Sequence, residues 1–384
     1  MDKKAWDERY YYILLDLNRE ERQTDIDYYE GLPEVTLSAF TETGRTESSI
    51  SVPDQRSYHG AKPVISSSLA NTPCANLGVA GLLEKLSITL RKPYTLEIHS
   101  LSSVLGACIT QEYDFGTAYG YLHPVLCECE NLTDVEDELR ARKEWDREMR
   151  ESVLVNNRIL NNIVLPRRIW DLYSNRVVPW WTAKRWPWGI SHAWMDEKDR
   201  SDVETPINRG EWPYVWLDVL CLRQKGGLRE DLRREEWQLD VPTIGSAYDS
   251  KLPVVYYFSG LGRPLHVEAS DFESDRNWFR RVWTLQEIAE RRFFGGVTGN
   301  KAMKKEIYAR FDKEPLLLEK IAERQEWIVG VFNALSLLQH RESTSEVDKI
   351  AAMAYVVGGV EEIPAYYEMR MDIIGGYVGH AGQG

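Results

Sequence analysis

Apolar residues run almost without polar alternation at three places in the middle of the chain: WGISHAW (188–194), YVWLDVLCLRQ (214–224) and LPVVYYFS (252–259). Such runs, bounded by turn residues, are the pattern of strands covered on both faces in a parallel or mixed sheet. In the second run eight of the first nine residues are apolar or aromatic, and Asp218 alone interrupts them. A carboxylate inside a covered strand is costly unless paired or solvated, so Asp218 is expected at the sheet's rim beside a partner or facing a cleft. After Gln224 come Lys225-Gly226-Gly227 and a helical pattern over 228–240, so the strand opens into a loop at the edge where open α/β sheets bind ligands.

Helical spacing dominates elsewhere. Residues 77–90 and 101–110 carry apolar positions at that spacing, and 135–154 predicts a charged helix with Val135, Leu139, Trp145, Met149 and Val153 near one face. A strong helix is predicted over 275–291, capped by Ser274, with Trp278, Val282, Leu285 and Ala289 in one stripe. Further helices are expected at 303–311, 316–340 and 345–357, the last opened by a Ser345/Asp348 capping box. Residues 1–33 read as a short amphipathic segment and acidic linker, 36–73 as irregular chain rich in Ser, Thr and Gly, and the last ten residues as disordered. Six tryptophans between 170 and 194 are expected to form a packed aromatic wall.

Composition narrows the class. The 384 residues are enough for two or three domains. Forty-seven basic against 60 acidic residues leave a net charge of -13, which argues against nonspecific nucleic-acid or anionic-membrane binding. Five scattered cysteines read as reduced thiols rather than a disulfide framework. No signal peptide and no membrane-spanning run is recognisable, so a cytoplasmic protein is expected.

Trp283 and Glu287 are four apart, which on a helix sets the carboxylate beside an indole where low polarity strengthens its hold on a developing cation. The bland alternative pairs Glu287 with Arg291, also four residues on. Cys221 with His192 or His266 as base lacks a third group, and buried strand cysteines are usually small core residues. His123, Cys127 and Cys129 are too sparse for zinc, so no metal site is assigned. Gly226-Gly227 lacks the rest of a phosphate loop.

Three ordered blocks, GISHAWMDEKDR (189–200), YVWLDVLCLRQ (214–224) and RRVWTLQE (280–287), resemble the signatures of the fungal heterokaryon incompatibility (HET) domain. RESTSEVDKIAAMAY (341–355) resembles the segment that often follows that domain. The first block departs from the usual pattern with His192 in place of Tyr and Met195 in place of Gly. The HET domain is in turn similar to the TIR domain, a flavodoxin-like fold. The resemblance therefore implies an α/β, three-layer sheet domain at 166–300, between an N-terminal region 1–165, irregular then helical, and a helical C-terminal region 301–384. Only 19 residues, 195–213, separate the first two strands, and they lack apolar periodicity. A parallel crossover usually carries a helix, so the first crossover helix is expected to be missing and one sheet face to be uncovered.

The family is associated with nonself recognition and cell death. By position, the resemblance makes Glu287 the equivalent of the catalytic glutamate of TIR enzymes that hydrolyse NAD. It suggests Ser191, Asp218 and Trp283 as the substrate-binding group and NAD as a substrate rather than a cofactor. The loop 223–230 lies where TIR domains shape the pocket and self-assemble. Two functions stay open: NAD hydrolysis, and a non-enzymatic module that acts by forming homo-oligomers. A degenerate, inactive copy is a variant of the second.

Overall fold

A computed structural model describes residues 34–37, 65–97, 99–128, 134–193, 205–208, 214–226, 229–248, 254–261, 265, 272, 277–289, 292–295, 301–313, 336–343, 345–357 and 363–368. In chain order the strands are β1 (Glu34–Leu37), β2 (Leu154–Val155), β3 (Arg158–Ile159), β4 (Arg168–Asp171), β5 (Arg176–Pro179), β6 (Trp188–His192), β7 (Thr205–Asn208), β8 (Tyr214–Leu217), β9 (Val254–Tyr257), β10 (Arg292–Phe294) and β11 (Ile363–Pro364). Six of them form one mixed sheet in the order β10-β9-β6-β8-β4-β5. The four from β10 to β8 are parallel, whereas β4 runs antiparallel to both β8 and β5. The register sets Ile190 opposite Leu217 on one side and Val255 on the other.

Every residue of β6, β8 and β9 is buried, as their unbroken apolar runs predict. The second run is nevertheless shorter as a strand than its apolar pattern suggests. It leaves the sheet at Leu217, and Asp218–Cys221 forms one helical turn. The Asp218 carboxylate starts that turn by accepting from Val219 N at 2.8 Å. Asp218 thus lies just past the strand's C-terminal end.

The described part of the crossover between β6 and β8 is β7, which pairs antiparallel with β1. No helix occurs in it among the described residues. The expected consequence, an uncovered sheet face, does not follow. The helix Phe115–Glu128 packs on β5, and its His123 ring stacks on Tyr214 of β8. The turns Ile244–Tyr248 and Trp283–Glu287 pack on β6. Trp170, Trp180, Trp181, Trp186 and Trp188 are all buried, but Trp180, Trp181 and Trp186 enter one apolar cluster and Trp170 and Trp188 another, so they do not make the single aromatic wall expected of this stretch; Trp194 lies outside the described residues. One apolar cluster runs from Ile65 through Tyr214 to Tyr366 and so joins residues on both sides of positions 165 and 300.

The helices Cys74–Leu90, His99–Thr110, Val135–Val153, Lys301–Phe311 and Glu346–Val357 occupy predicted positions. The helix Phe115–Glu128 was not legible, because its two glycines and Pro124 disguise it; Asp114 starts it by accepting from Thr117 N at 2.7 Å. The pattern over 228–240 resolves into a 3-10 turn, Glu230–Leu232, and the helix Arg233–Asp240. Ser345 Oγ accepts from Val347 N at 3.3 Å, while Asp348 accepts from the Tyr366 hydroxyl at 2.5 Å. The amphipathic N-terminal segment, the Ser274 cap, most of the predicted 316–340 helix and the tail lie outside the described residues.

The helix expected over 275–291 is the main correction. The described stretch contains two 3-10 turns, Trp278–Arg280 and Trp283–Glu287, separated by an extended Arg281 that bridges to Glu342. Trp278, Val282, Leu285 and Ala289 are buried as their spacing implies, but Trp278 and Ala289 enter one apolar cluster while Val282 and Leu285 enter another. A single helical face cannot serve both. Asn277 caps the first turn, accepting from Phe279 N at 2.9 Å.

Close approach at β6 is a point of fragility. A Cβ on Gly189 would meet Cδ1 of Tyr248 at 2.6 Å, and that ring is buried. Gly189→Ala should therefore destabilise the fold by about 1–3 kcal/mol, read as a lower urea midpoint with an unchanged slope. An unaltered midpoint would contradict this packing.

Candidate functional site

The three motif blocks end at one place. Ser191 and His192 close β6, Asp218 follows β8, and Glu287 ends the turn that packs on β6. All sit at the C-terminal edge of the parallel strands, where the neighbours of β6 diverge in chain order to β8 and β9. Crevices that bind ligands in open α/β sheets form at such points.

Glu287 is 7% exposed. The Ser191 hydroxyl donates to its Oε2 at 2.5 Å, and Trp278 Nε1 donates to Ser191 Oγ at 2.6 Å. Among the described residues, Oε1 receives no hydrogen bond. Burial, followed by the Asp218 charge, pushes the Glu287 carboxyl from its ordinary 4.5 up to about 7, against the opposing pull of Ser191, Arg281 and His192. Neighbouring Asp218 is displaced the other way. Burial would raise it, but the His192 ring, the Arg281 guanidinium and Val219 N–H together hold it below the ordinary carboxylate value. Two nearby carboxyls with such opposed environments suit different tasks, one permanently charged and one able to change protonation near neutral pH.

His192 Nε2 lies 2.9 Å from Asp218 Oδ1, and its Nδ1 lies 3.3 Å from the Ala193 carbonyl. Both ring nitrogens face oxygens, and the contact with the carboxylate fixes the orientation of the ring.

The backbone around Glu287 is held from several sides. The Tyr256 hydroxyl donates to the Glu287 carbonyl at 2.6 Å and accepts from Ala289 N at 2.9 Å. Gln286 accepts from Gly245 N at 3.2 Å and donates to the Ala351 carbonyl at 3.1 Å. Thr284 accepts from Arg341 at 2.7 Å and its single proton is shared between the carbonyls of Trp278 and Arg281, each at 2.7 Å. The polar letters of the TLQE block are thus largely structural, whereas the glutamate carboxyl turns to the strand ends.

The sequence-derived site residues fare unequally. Glu287 and Ser191 meet directly, and Asp218 acts on Glu287 through its charge. Ser191 is 1% exposed and faces the carboxyl, so it is not a rim contact. Trp283 is half-buried and packs against all three apolar clusters. In a 3-10 turn, residues four apart point about 120° away from each other, so the helical argument pairing Trp283 with Glu287 fails. The indole linked to Glu287 is that of Trp278, and the link runs through Ser191. The spacing of Trp278 from Glu287 carries no signal in the sequence, and His192 meets Asp218 rather than serving as a base for Cys221.

The other candidates lie elsewhere. Cys221 is buried beside a cavity of about 20 Å³, room for a single water, and its thiol is directed at the Val215 carbonyl at 3.9 Å. His123 is enclosed by Tyr119 and Tyr214 and lies 3.4 Å from Asp171. Among the described residues no group of three ligating side chains could hold a metal, and no helix is long and apolar enough to cross a membrane. In the loop after β8, Arg223 forms a two-point ion pair with Glu236 at 3.0 and 3.1 Å.

The raised Glu287 carboxyl has a stability signature. Its folded value lies above its unfolded value, so the folded state binds the extra proton between them. The stability it contributes is complete below about 4.5 and is lost as pH rises through about 7. Glu287→Gln, which cannot ionise and can still accept from Ser191, should stabilise the protein on the order of 3 kcal/mol at pH 8 and little near pH 4.5. Equal urea midpoints for the two proteins at both pH values would contradict the shift. Comparison with protein-family models, with curated proteins and with solved structures returns no match to this chain.

Proposed function

We propose that the chain is a HET-domain protein of fungal nonself recognition and programmed cell death signalling, and that it acts in the cytoplasm through TIR-like hydrolysis of NAD. One observation carries the reading: Ser191, Asp218 and Glu287, one from each motif block, converge at the C-terminal edge of the parallel strands of a mixed sheet. The order of the parallel strands adds support. Numbered along the chain, β6, β8, β9 and β10 lie side by side as 2-1-3-4, the flavodoxin-like order.

In this reading the strand ends open to uncover Glu287, the nicotinamide ribose enters there and a ribose hydroxyl donates to the carboxylate. The carboxylate stabilises positive charge as the bond from ribose to nicotinamide breaks, and water completes the hydrolysis. The ionised form is the active one, so turnover rises with pH through about 7. Asp218, held by the His192 ring, lies beside it, and the Asp218 charge raises the Glu287 carboxyl.

A second reading, a self-assembling module without catalysis, draws on the burial of Glu287, which must be uncovered before a dinucleotide can reach it. Its assembly surface would include the loop 223–230. The two readings separate on nicotinamide release from NAD by purified, folded protein. The hydrolase predicts release that falls by about 10²–10⁴ in Glu287→Ala. Full activity in Glu287→Gln would remove this carboxyl from the mechanism, and no release from folded protein would favour the assembly module.

A further inference from the structure

The Trp278–Ser191–Glu287 contact determines more than the position of a side chain. An indole N–H can only donate, whereas a serine hydroxyl has one proton to give and two lone pairs. With Trp278 Nε1 occupying a lone pair of Ser191 Oγ, the acceptor to which Ser191 gives its proton is Glu287 Oε2. Ser191 is 1% exposed and Trp278 fully buried, so bulk water does not compete freely for these groups. The three residues are brought together from β6 and from the two short turns after β9.

We propose that Trp278 and Ser191 are a positioning pair that orients the Glu287 carboxyl, occupying Oε2 so that Oε1 is the oxygen presented to the substrate. When Glu287 is protonated, its proton resides on Oε1, which then donates; after ionisation Oε1 accepts. The pair stabilises the ionised form, because the Ser191 proton is directed at the carboxylate. It opposes the larger effect of burial, which alone would hold the group neutral. Neither residue touches the reacting atoms. The consequence for turnover rests on the hydrolase reading, whereas the effect on carboxyl ionisation does not.

The test is infrared titration of the full chain, with the protonated Glu287 band identified by its loss in Glu287→Gln. In the wild-type protein the band should titrate near 7. Ser191→Ala should move the midpoint up by about one to two pH units, the expected effect of removing a hydrogen bond to a charged group. Ser191→Thr, which keeps the hydroxyl, should leave the midpoint near its wild-type position. Trp278→Phe should shift it upward by about half a unit through the freed hydroxyl. If it fails to fold, the two Ser191 variants carry the test. In turnover, Ser191→Ala should lower kcat at pH 7 with KM unchanged, and its pH profile should shift with the infrared midpoint. An unmoved or lowered midpoint in folded Ser191→Ala overturns the positioning pair, whether or not NAD is hydrolysed. The predicted shift in a protein that releases no nicotinamide sustains the pair and removes the hydrolase reading.

Discussion

A carboxyl withdrawn from water at the end of a parallel sheet needs support that a single element cannot give. Glu287 receives one hydrogen bond from the strand beneath it, through Ser191, and its electrostatic setting from Asp218, His192 and Arg281. Its own backbone is not in a regular helix that would hold it unaided. The surrounding polar contacts supply the constraint: Tyr256 clamps the chain at Glu287 and Ala289, and Gln286 bridges to Gly245 and Ala351. Such over-determination lets a group with a raised ionisation point persist despite its cost to stability in the charged form.

This arrangement gives the flanks a physical role. The segment 341–355 buttresses the motif: Arg341 donates to the Arg281 carbonyl at 2.9 Å and to Thr284, and Glu342 exchanges backbone hydrogen bonds with Arg280 and Val282. On the other side, the helices before β4 share an apolar cluster with Tyr214 of β8 and with Tyr366. The sheet thus gains cover from regions that carry none of the motif residues. A short crossover with no helix among its described residues can be accommodated because the sheet draws cover from these other regions.

The strands were legible because β6, β8 and β9 are buried along their whole length and read as unbroken apolar runs. Asp218 stood out as a charge that such a run could not accommodate, and it proved to lie just beyond the strand. Glu287 is marked both by its spacing from Trp283 and by the resemblance, but the helix that the spacing presumes does not form, because one periodic stripe serves two apolar clusters. The partners of Glu287 were not legible in the same way. Ser191 lies 96 positions from Glu287 and 87 from Trp278, distances over which no local periodicity operates. His192 likewise meets Asp218 across 26 positions, beyond the reach of local periodicity.

The central claim is that the first and third motif blocks meet through Ser191 and Glu287, and a double-mutant cycle on stability tests that contact directly. Ser191→Ala, Glu287→Ala and the double variant would be unfolded in urea at pH 8, where the carboxyl is largely ionised. A coupling of about 1–3 kcal/mol is predicted for a buried hydrogen bond to a charged group. Additive effects, within about 0.5 kcal/mol, would mean that the two side chains do not meet and would contradict the site built around them.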